Sequence, residues 1–478
     1  MTTENVENES TAALRRQLLA RLLAGGAPAA GPERSPRPTE LPASAAQQRL
    51  WFLDQLHGAD ISYNVPFAIR LTGAFPVATL HGALQDAVDR HESLRTVLAA
   101  ASDGSVCQEV LEGWKLSLPV IQITANELTG TLREAARRPF VLAGEPLLRA
   151  TLYRLADHEH VLFLNLHHAI TDGWSEQLLF DELAELYAAR AAQRAADLHE
   201  IGSQYADFAL QESERSKQGG YESDLAYWER ELVQPLPAFS WPEEAWPEDS
   251  WGEPAFSRDG AALRFDIPQA LAARLRGLAT ESGASVFMVL LSALAVLVHR
   301  QAGPDEVVVG VPVANREDAK WHGTYGLFVN TVAVRVSLAG YPTFREVLDR
   351  TSQAAMQALA HQEAPFDQVV ARVVKSRSGD TNPVFQIACV LADRPWRLEL
   401  PGVAAEFLQL STGAVKYELK LSLVREEQGI TAEFEYSTGL LSPEAVSWMA
   451  SAYLNILHQL VDSPNRAVEG FVLEEGSH

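Results

Sequence analysis

The stretch LNLHHAITDGWSEQLLF, Leu164–Phe180, sets two adjacent histidines at the end of an apolar run and an Asp-Gly pair just before the next one. Upstream, LRATLYRLADHEHVLFLNLHH reads as two strands joined by a polar turn near Asp157 to His160. Downstream, EQLLFDELAELYAARAAQRA reads as a helix. Successive strand side chains point to opposite faces, so His167 and His168 cannot face the same way. One ring can enter a cleft while the other packs or holds backbone. Asp172 follows through a tight turn, and Gly173 suits a backbone that must bend or be approached closely. An acid so near an imidazole either orients the ring or braces the loop through a cation elsewhere. As a metal site the group lacks a third ligand, so no metal is expected. Spacing alone leaves both a catalytic and a satisfied structural histidine open.

Outward from this stretch, strand and helix patterns alternate. SYNVPFAIRLTG is strand-like, and VATLHGALQDAVDRHESL repeats apolar residues at helical spacing. The Pro/Trp-rich VQPLPAFSWPEEAWPEDSWGEP separates two halves as a loop or crossover. Beyond it lie a buried helix, ASVFMVLLSALAVLVHR, and the strands EVVVGVPV and FVNTVAVRVSL. No fixed-period repeat is present. The pattern predicts a mixed α/β (α+β) chain in two similar-sized halves.

At 478 residues and 47% apolar composition, the chain can bury a large core and is long for one domain. Two units of about 200 residues are expected. No apolar run reaches the ~20 residues of a membrane span. The N-terminus, MTTENVENES, is too acidic for a secretory signal. Cys107 and Cys389 cannot build a disulfide framework, which fits a reducing cytoplasm, and both read as core thiols. A net charge of −23 argues against nucleic acid as a partner. An acidic protein partner would need a local arginine-rich patch. Near the N-terminus, Leu14, Leu18, Leu19 and Leu22 share one helix face that Gly25-Gly26 ends, and a segment with five prolines follows as a tether.

HHAITDG resembles the HHxxxDG signature of nonribosomal peptide synthetase condensation domains, relatives of chloramphenicol acetyltransferase. Six further stretches resemble the family's other motifs, in its order. They are LPASAAQQRLWFLDQL from Leu41, RHESLRTV from Arg90, YADFALQE from Tyr205, VGVPVANRED with YGLFVNTVAVR across Val309 to Arg335, HQEAPFDQVV from His361 and NPVFQIACVL from Asn382. The matches cover about residues 41 to 473. The resemblance implies two chloramphenicol acetyltransferase-like subdomains in a V-shaped arrangement, with the active site in a central tunnel. Residues 1–40 would be a tail, short helix and linker, 41–220 the N-terminal subdomain, and 221–478 the C-terminal one.

Carried over by position, His168 matches the family's active-site histidine and His167 its structural neighbour. Asp172 matches the acid that braces the loop, with Arg316 as its partner and Arg49 as a second candidate. Gly173 matches the glycine whose amide faces the substrate, and Asn330 a polar residue of the tunnel. Gly326-Leu327-Phe328 stands where many relatives carry Gly-Phe-Phe, an apolar exchange. RHESLR and HQEAPFDQVV also read as structural, an ion-paired helix-to-strand junction and a helix cap. Trp51 and Phe52 read as core.

No Gly-Gly-x-Ser carrier motif or Gly-rich adenylate loop is present. The expectation is therefore a free-standing condensation enzyme with no bound cofactor. It would take an acyl group, with aminoacyl expected, from phosphopantetheine on a carrier protein acting in trans. The acceptor would be a small-molecule amine or alcohol, and the product an amide or ester in antibiotic assembly, with enediyne decoration one subtype. An α-amine with pKa near 7.7 to 8.0 is roughly a tenth neutral at pH 7, whereas an alcohol must lose its proton as it attacks. His168, expected near 6.5, suits that task. An epimerisation domain carries the same signature. A silent recruitment module would be expected to lose a signature residue, and His168, Asp172 and Gly173 are all present.

Overall fold

The computed structural model describes residues 37–58, 60–237, 240–247, 255–375 and 382–473. The Leu14–Leu22 helix pattern and most of the proline-rich tether lie outside the described residues. In chain order the first half runs β1 (Leu41–Pro42), α1 (Ala45–His57), β2 (Asn64–Thr72), α2 (Val77–Arg90), β3 (Thr96–Ala100), β4 (Val106–Val110), β5 (Val120–Gln122) and α3 (Ala125–Arg137). β6 (Leu148–Ala156), β7 (Glu159–His167), α4 (Gly173–Ala191) and α5 (Tyr205–Lys217) complete it. The second half begins with α6 (Glu222–Glu231), β8 (Gly260–Pro268), α7 (Gln269–Glu281), α8 (Val286–Ala302), β9 (Glu306–Val313) and β10 (Asn330–Ser337). It ends with α9 (Phe344–Ala360), α10 (Phe366–Val373), β11 (Ile387–Ala392), β12 (Ala404–Leu408), β13 (Leu419–Glu426), β14 (Gly429–Ser437) and α11 (Pro443–Asp462).

β7 is buried at every position from His160 to His167, as an unbroken apolar run demands when both sheet faces are covered. It is the centre of a five-stranded sheet ordered β12-β2-β7-β6-β5. The second sheet is six-stranded, ordered β10-β9-β11-β13-β14-β8, and a small sheet β1-β4-β3 completes the set. α8 is apolar around its whole circumference and buries Val289 through Val298, so it is a core helix of the second half. Ser285 caps its N-terminus and Gly303, with φ of 81°, ends it. Among the described residues no single helix is long and apolar enough to cross a membrane.

Tyr221, Trp228 and Leu232 already belong to the second core. Later segments nevertheless return to the first. Trp321, Tyr325, Leu327 and Phe328 pack into the N-terminal core, as do Leu398, Leu400 and Val403. β12 then extends the N-terminal sheet, pairing antiparallel with β2 from Ala404–Thr72 to Leu408–Ala68. The two subdomains are thus discontinuous in sequence.

Phe52 corrects the core expectation: it is 53% exposed, and Trp51 is half-buried. α1 presents that edge of its surface to a cavity and not to the sheet. Cys389 is a core thiol and Cys107 is half-buried, both unpaired. In RHESLR, Arg90 Nε donates to Glu182 at 2.9 Å and His91 Nε2 meets the same carboxylate at 2.7 Å, a structural cluster.

Candidate active site

β7 ends at His167, one helical turn covers His168–Ile170, and Asp172 caps α4. The two rings differ in burial. His167 is buried; its Nδ1 accepts the Ala169 amide at 3.1 Å, and its ring lies against Tyr63 and Phe140. It holds the turn. His168 is half-buried. Burial is nevertheless the largest influence on its ring and takes it well below the ordinary histidine range. Lys416 adds to the depression, and hydrogen bonding with backbone at His168 and Thr171 opposes it. The ring therefore borders a confined space and is neutral at physiological pH, which corrects the expectation of a value near 6.5. Burial and Lys416 likewise push His167 down to about 3.

Asp172 ties α4 to the 316–329 segment. Its Oδ1 accepts the Ser175 amide at 2.8 Å, capping α4. Its Oδ2 accepts the amides of Phe328 at 2.8 Å and Val329 at 3.1 Å. Arg316 Nη2 lies 3.4 Å from Oδ1, with both side chains almost fully buried. The same guanidinium donates to Ser175 Oγ at 2.7 Å and to the carbonyls of Trp321 and Thr324 at 2.6 Å. Arg316 is thus the brace. Arg49 sits elsewhere, 3.9 Å from Asp367 across the cavity mouth. Gly326 lies where an added Cβ would meet the Tyr205 ring at 2.2 Å, so the 316–329 segment approaches α5 as only glycine allows.

Gly173 is the first residue of α4, exposed, with nothing within 4 Å of where a Cβ would stand. Its amide belongs to the unpaired positive end of a 19-residue helix. Asn330 is committed to backbone: Nδ2 donates to the carbonyls of Gln362 and Ala364 at 2.7 and 2.8 Å, and Oδ1 accepts the Phe366 amide at 3.1 Å. It fixes the turn into α10, acting on the site through that turn.

A cavity of about 780 Å³ opens between the subdomains, with Arg49, Phe52, Tyr63 and Glu212 on one wall and Lys416 and Tyr417 on the other. His168 is not itself on this wall; Tyr63 and Lys416 are the lining groups that connect to the histidines. Lys416 lies 4.7 Å above the Tyr63 ring. Burial first, then Lys420 and Arg49, bring it down to about 7 against the pull of Glu435 and Asp60. Sequence reasoning missed Lys416, Tyr63, Ser175 and Glu176. For the last two a signal existed: both are polar and lie within one turn of the Asp172 cap. No group of three or more metal-ligating side chains occurs among the described residues.

Two α/β subdomains, with His168 and Asp172 on the loop that leads from β7 into α4, define the class to which this chain belongs. The chain belongs to the condensation domain family, which matches residues 38–475. It is 35% identical to a probable non-canonical nonribosomal peptide synthetase of Salinispora arenicola, over 95% of this chain and 6% of the relative. It is also 35% identical to a dimodular nonribosomal peptide synthase of Bacillus subtilis, over 91% of this chain and 19% of the relative. The chain thus spans a small part of these relatives' length. Among solved structures, the X-domain from teicoplanin biosynthesis shares 25% identity with a TM-score of 0.83, over 92% of this chain and 99% of that one. SgcC5 from Streptomyces globisporus shares the fold, at 24% identity and a TM-score of 0.72, over 89% of this chain and 100% of that one.

Proposed function

We propose that this chain moves an acyl group from the phosphopantetheine thioester of a separate carrier protein to a small-molecule amine or alcohol, making an amide or ester in natural-product assembly. The observation that carries the reading is the half-buried His168 ring, kept well below the ordinary histidine range, on the loop that leads through the Asp172 cap to the exposed Gly173 of α4. The acceptor's N–H or O–H gives its proton to the free ring nitrogen of His168 as the nucleophile bonds to the thioester carbon. The carbonyl oxygen becomes an oxyanion, and the Gly173 amide, backed by the α4 dipole, is the donor available to it; comparable donors contribute ~10²–10³ in rate. Collapse breaks the C–S bond. The leaving thiolate takes the proton from His168, a downhill transfer since an ordinary thiol near 8.5 holds it more tightly than this ring does.

The test is single-turnover kinetics on one loaded carrier with an amino alcohol and its diol analogue. His168→Ala is expected to lose ester formation by ~10²–10⁴, with amide formation falling less, because an alcohol depends on a base far more than an amine does. Equal losses for both acceptors leave His168 a positioning group. Failure of every carrier-bound donor overturns the reading. The teicoplanin X-domain has been solved with OxyB, which makes recruitment of another enzyme the second reading; a chain that binds such a partner and turns over no donor would favour it.

A further inference from the structure

We propose that Lys416 is a specificity residue that binds a carboxylate carried by the acceptor, so that the acceptor is a free amino or hydroxy acid with an apolar body. The inference rests on the acyl-transfer reading above.

The charged side chains on the wall of the intersubdomain cavity are Arg49, Glu212, Lys217, Arg258, Asp367 and Lys416. Structure accounts for the others. Arg258 grips Asp60, and Arg49 lies 3.9 Å from Asp367. Glu212 Oε2 accepts the Ala45 amide, at the start of α1, at 2.7 Å. Lys217 ends α5 and is exposed, a solvated rim position. Lys416 has no such account. It is half-buried, and its contact among the described residues is the Tyr63 ring, 4.7 Å from the ammonium; no hydrogen bond or ion pair holds it there. The two acids whose charge reaches it, Glu435 and Asp60, are engaged by Lys420 and Arg258.

A shortage of acids is not the reason, since the chain has 62 of them against 39 lysines and arginines. Lys115, Lys320 and Lys420 each sit beside a carboxylate. An ammonium drawn out of water without a counter-charge is unfavourable, and a methionine would cover Tyr63 without that cost. Nor is the lysine free to wander, because the loop that carries it is pinned. Arg137 of α3 donates to the Thr412 carbonyl at 2.6 Å, the Gly260 amide to the Gly413 carbonyl at 2.9 Å, and the Val415 amide to the Arg258 carbonyl at 2.8 Å. A fixed cation on a cavity wall, lacking its own anion, is completed by an anion that enters the cavity, through a charge-assisted bond.

An oxyanion has two sources here, a carboxylate on the acceptor and the phosphate of the donor's phosphopantetheine. Position favours the first. The Tyr63 ring beneath Lys416 lies 6.2 Å from the His167 ring, so the lysine stands beside the histidine loop, whereas the phosphate is the end of the arm remote from the thioester. The acceptor's own needs agree. A donor is delivered by its carrier, but a small-molecule acceptor has no tether and must be held by the groups around it. Phe256, Phe366, Val370 and Pro383 give the same cavity apolar wall for the acceptor's body. Burial, Lys420 and Arg49 keep the empty site's lysine down to about 7, and a carboxylate beside it favours the charged form that binds it.

The test compares acceptors on one aminoacyl-loaded carrier, pairing phenylalanine with phenylalaninamide and phenyllactate with phenyllactamide. Wild type is expected to favour each acid over its carboxamide by about tenfold or more in kcat/KM, through KM. Lys416→Met removes that preference, and Lys416→Arg keeps most of it. The influence of Lys416 on His168 is common to both members of a pair and cancels in the ratio, as does any loss of folded enzyme. An unchanged ratio in Lys416→Met overturns the proposal. Turnover confined to acceptors without a carboxylate overturns it too, while leaving acyl transfer standing. The same proteins are assayed with the acyl group on pantetheine, which lacks the phosphate. If Lys416→Met loses rate only with phosphate-bearing donors, whatever the acceptor, the anion is the donor's and the acceptor assignment falls. No product with any acceptor from any carrier-bound donor overturns the acyl-transfer reading itself.

Discussion

Replacing Asp172 with alanine removes one carboxylate and strands four partners. Ser175 loses its cap, which in other helices costs about 1 kcal/mol. The amides of Phe328 and Val329 lose their acceptor, each worth about 1–3 kcal/mol if it stays dry. Arg316, whose side chain is 1% exposed, loses its counter-charge, and breaking such a buried pair costs about 3–5 kcal/mol. Relaxation of the 316–329 segment recovers part, so we expect a net loss of about 4–6 kcal/mol, a large fraction of the 5–15 kcal/mol of a typical domain. The assay is urea denaturation followed by tryptophan fluorescence, since Trp174 and Trp321 flank Arg316. Arg316→Met separates the terms. If the stranded charge dominates, Asp172→Ala combined with Arg316→Met is at least about 2 kcal/mol more stable than Asp172→Ala alone. A double variant as unstable as the sum of the two singles refutes the charge argument and assigns the loss to the cap and the two amides. An unchanged midpoint in Asp172→Ala refutes the whole account.

Because His168 sits below 6.5, kcat/KM with an alcohol acceptor should stay flat through pH 6.5, with its acid limb at lower pH, and Lys416→Met should move that limb upward by removing a positive neighbour; an inflection at 6.5 in both proteins would contradict this. For stability, both histidines are depressed when folded, so below pH 6.5 the unfolded chain binds protons first and stability falls as pH drops, for His167 down to about 3. His167→Phe should flatten that loss in acid denaturation, and an unaltered slope would remove His167 from it.

The strands and helices around the histidines were legible because their apolar periods are unambiguous: β7 buries both faces and α4 one. That His167 and His168 would differ was expected from pleat geometry, and the Asp172–Arg316 brace from the family resemblance. What depends on long-range packing was hidden. Nothing near Lys416 in the chain marks it as an electrostatic influence on residue 168, because a loop before β13 brings it over the Tyr63 ring from a distant part of the chain. Asn330 was legible as a polar residue near the site, but its commitment to the 362–366 backbone depends on how α9 turns into α10. Phe52 failed as a core residue because one apolar side chain on a short helix carries no direction. The resting charge of His168 was out of reach for the same reason: burial is a property of the assembled chain.

β12 reaches back more than 330 positions to pair with β2, and the aromatic residues of 321–328 fill the first core from beyond the chain's midpoint. On the ribosome, a nascent chain released only as far as α5 has an open β2 edge and a core lacking Trp321, Tyr325 and Phe328. Its first half must wait, incomplete and adhesive, until most of the second has emerged. The histidine loop is under the same constraint. Asp172 has no arginine to face until residue 316 is made, so the reactive centre matures late in synthesis, and a cut at the apparent midpoint yields two halves that each lack part of the other.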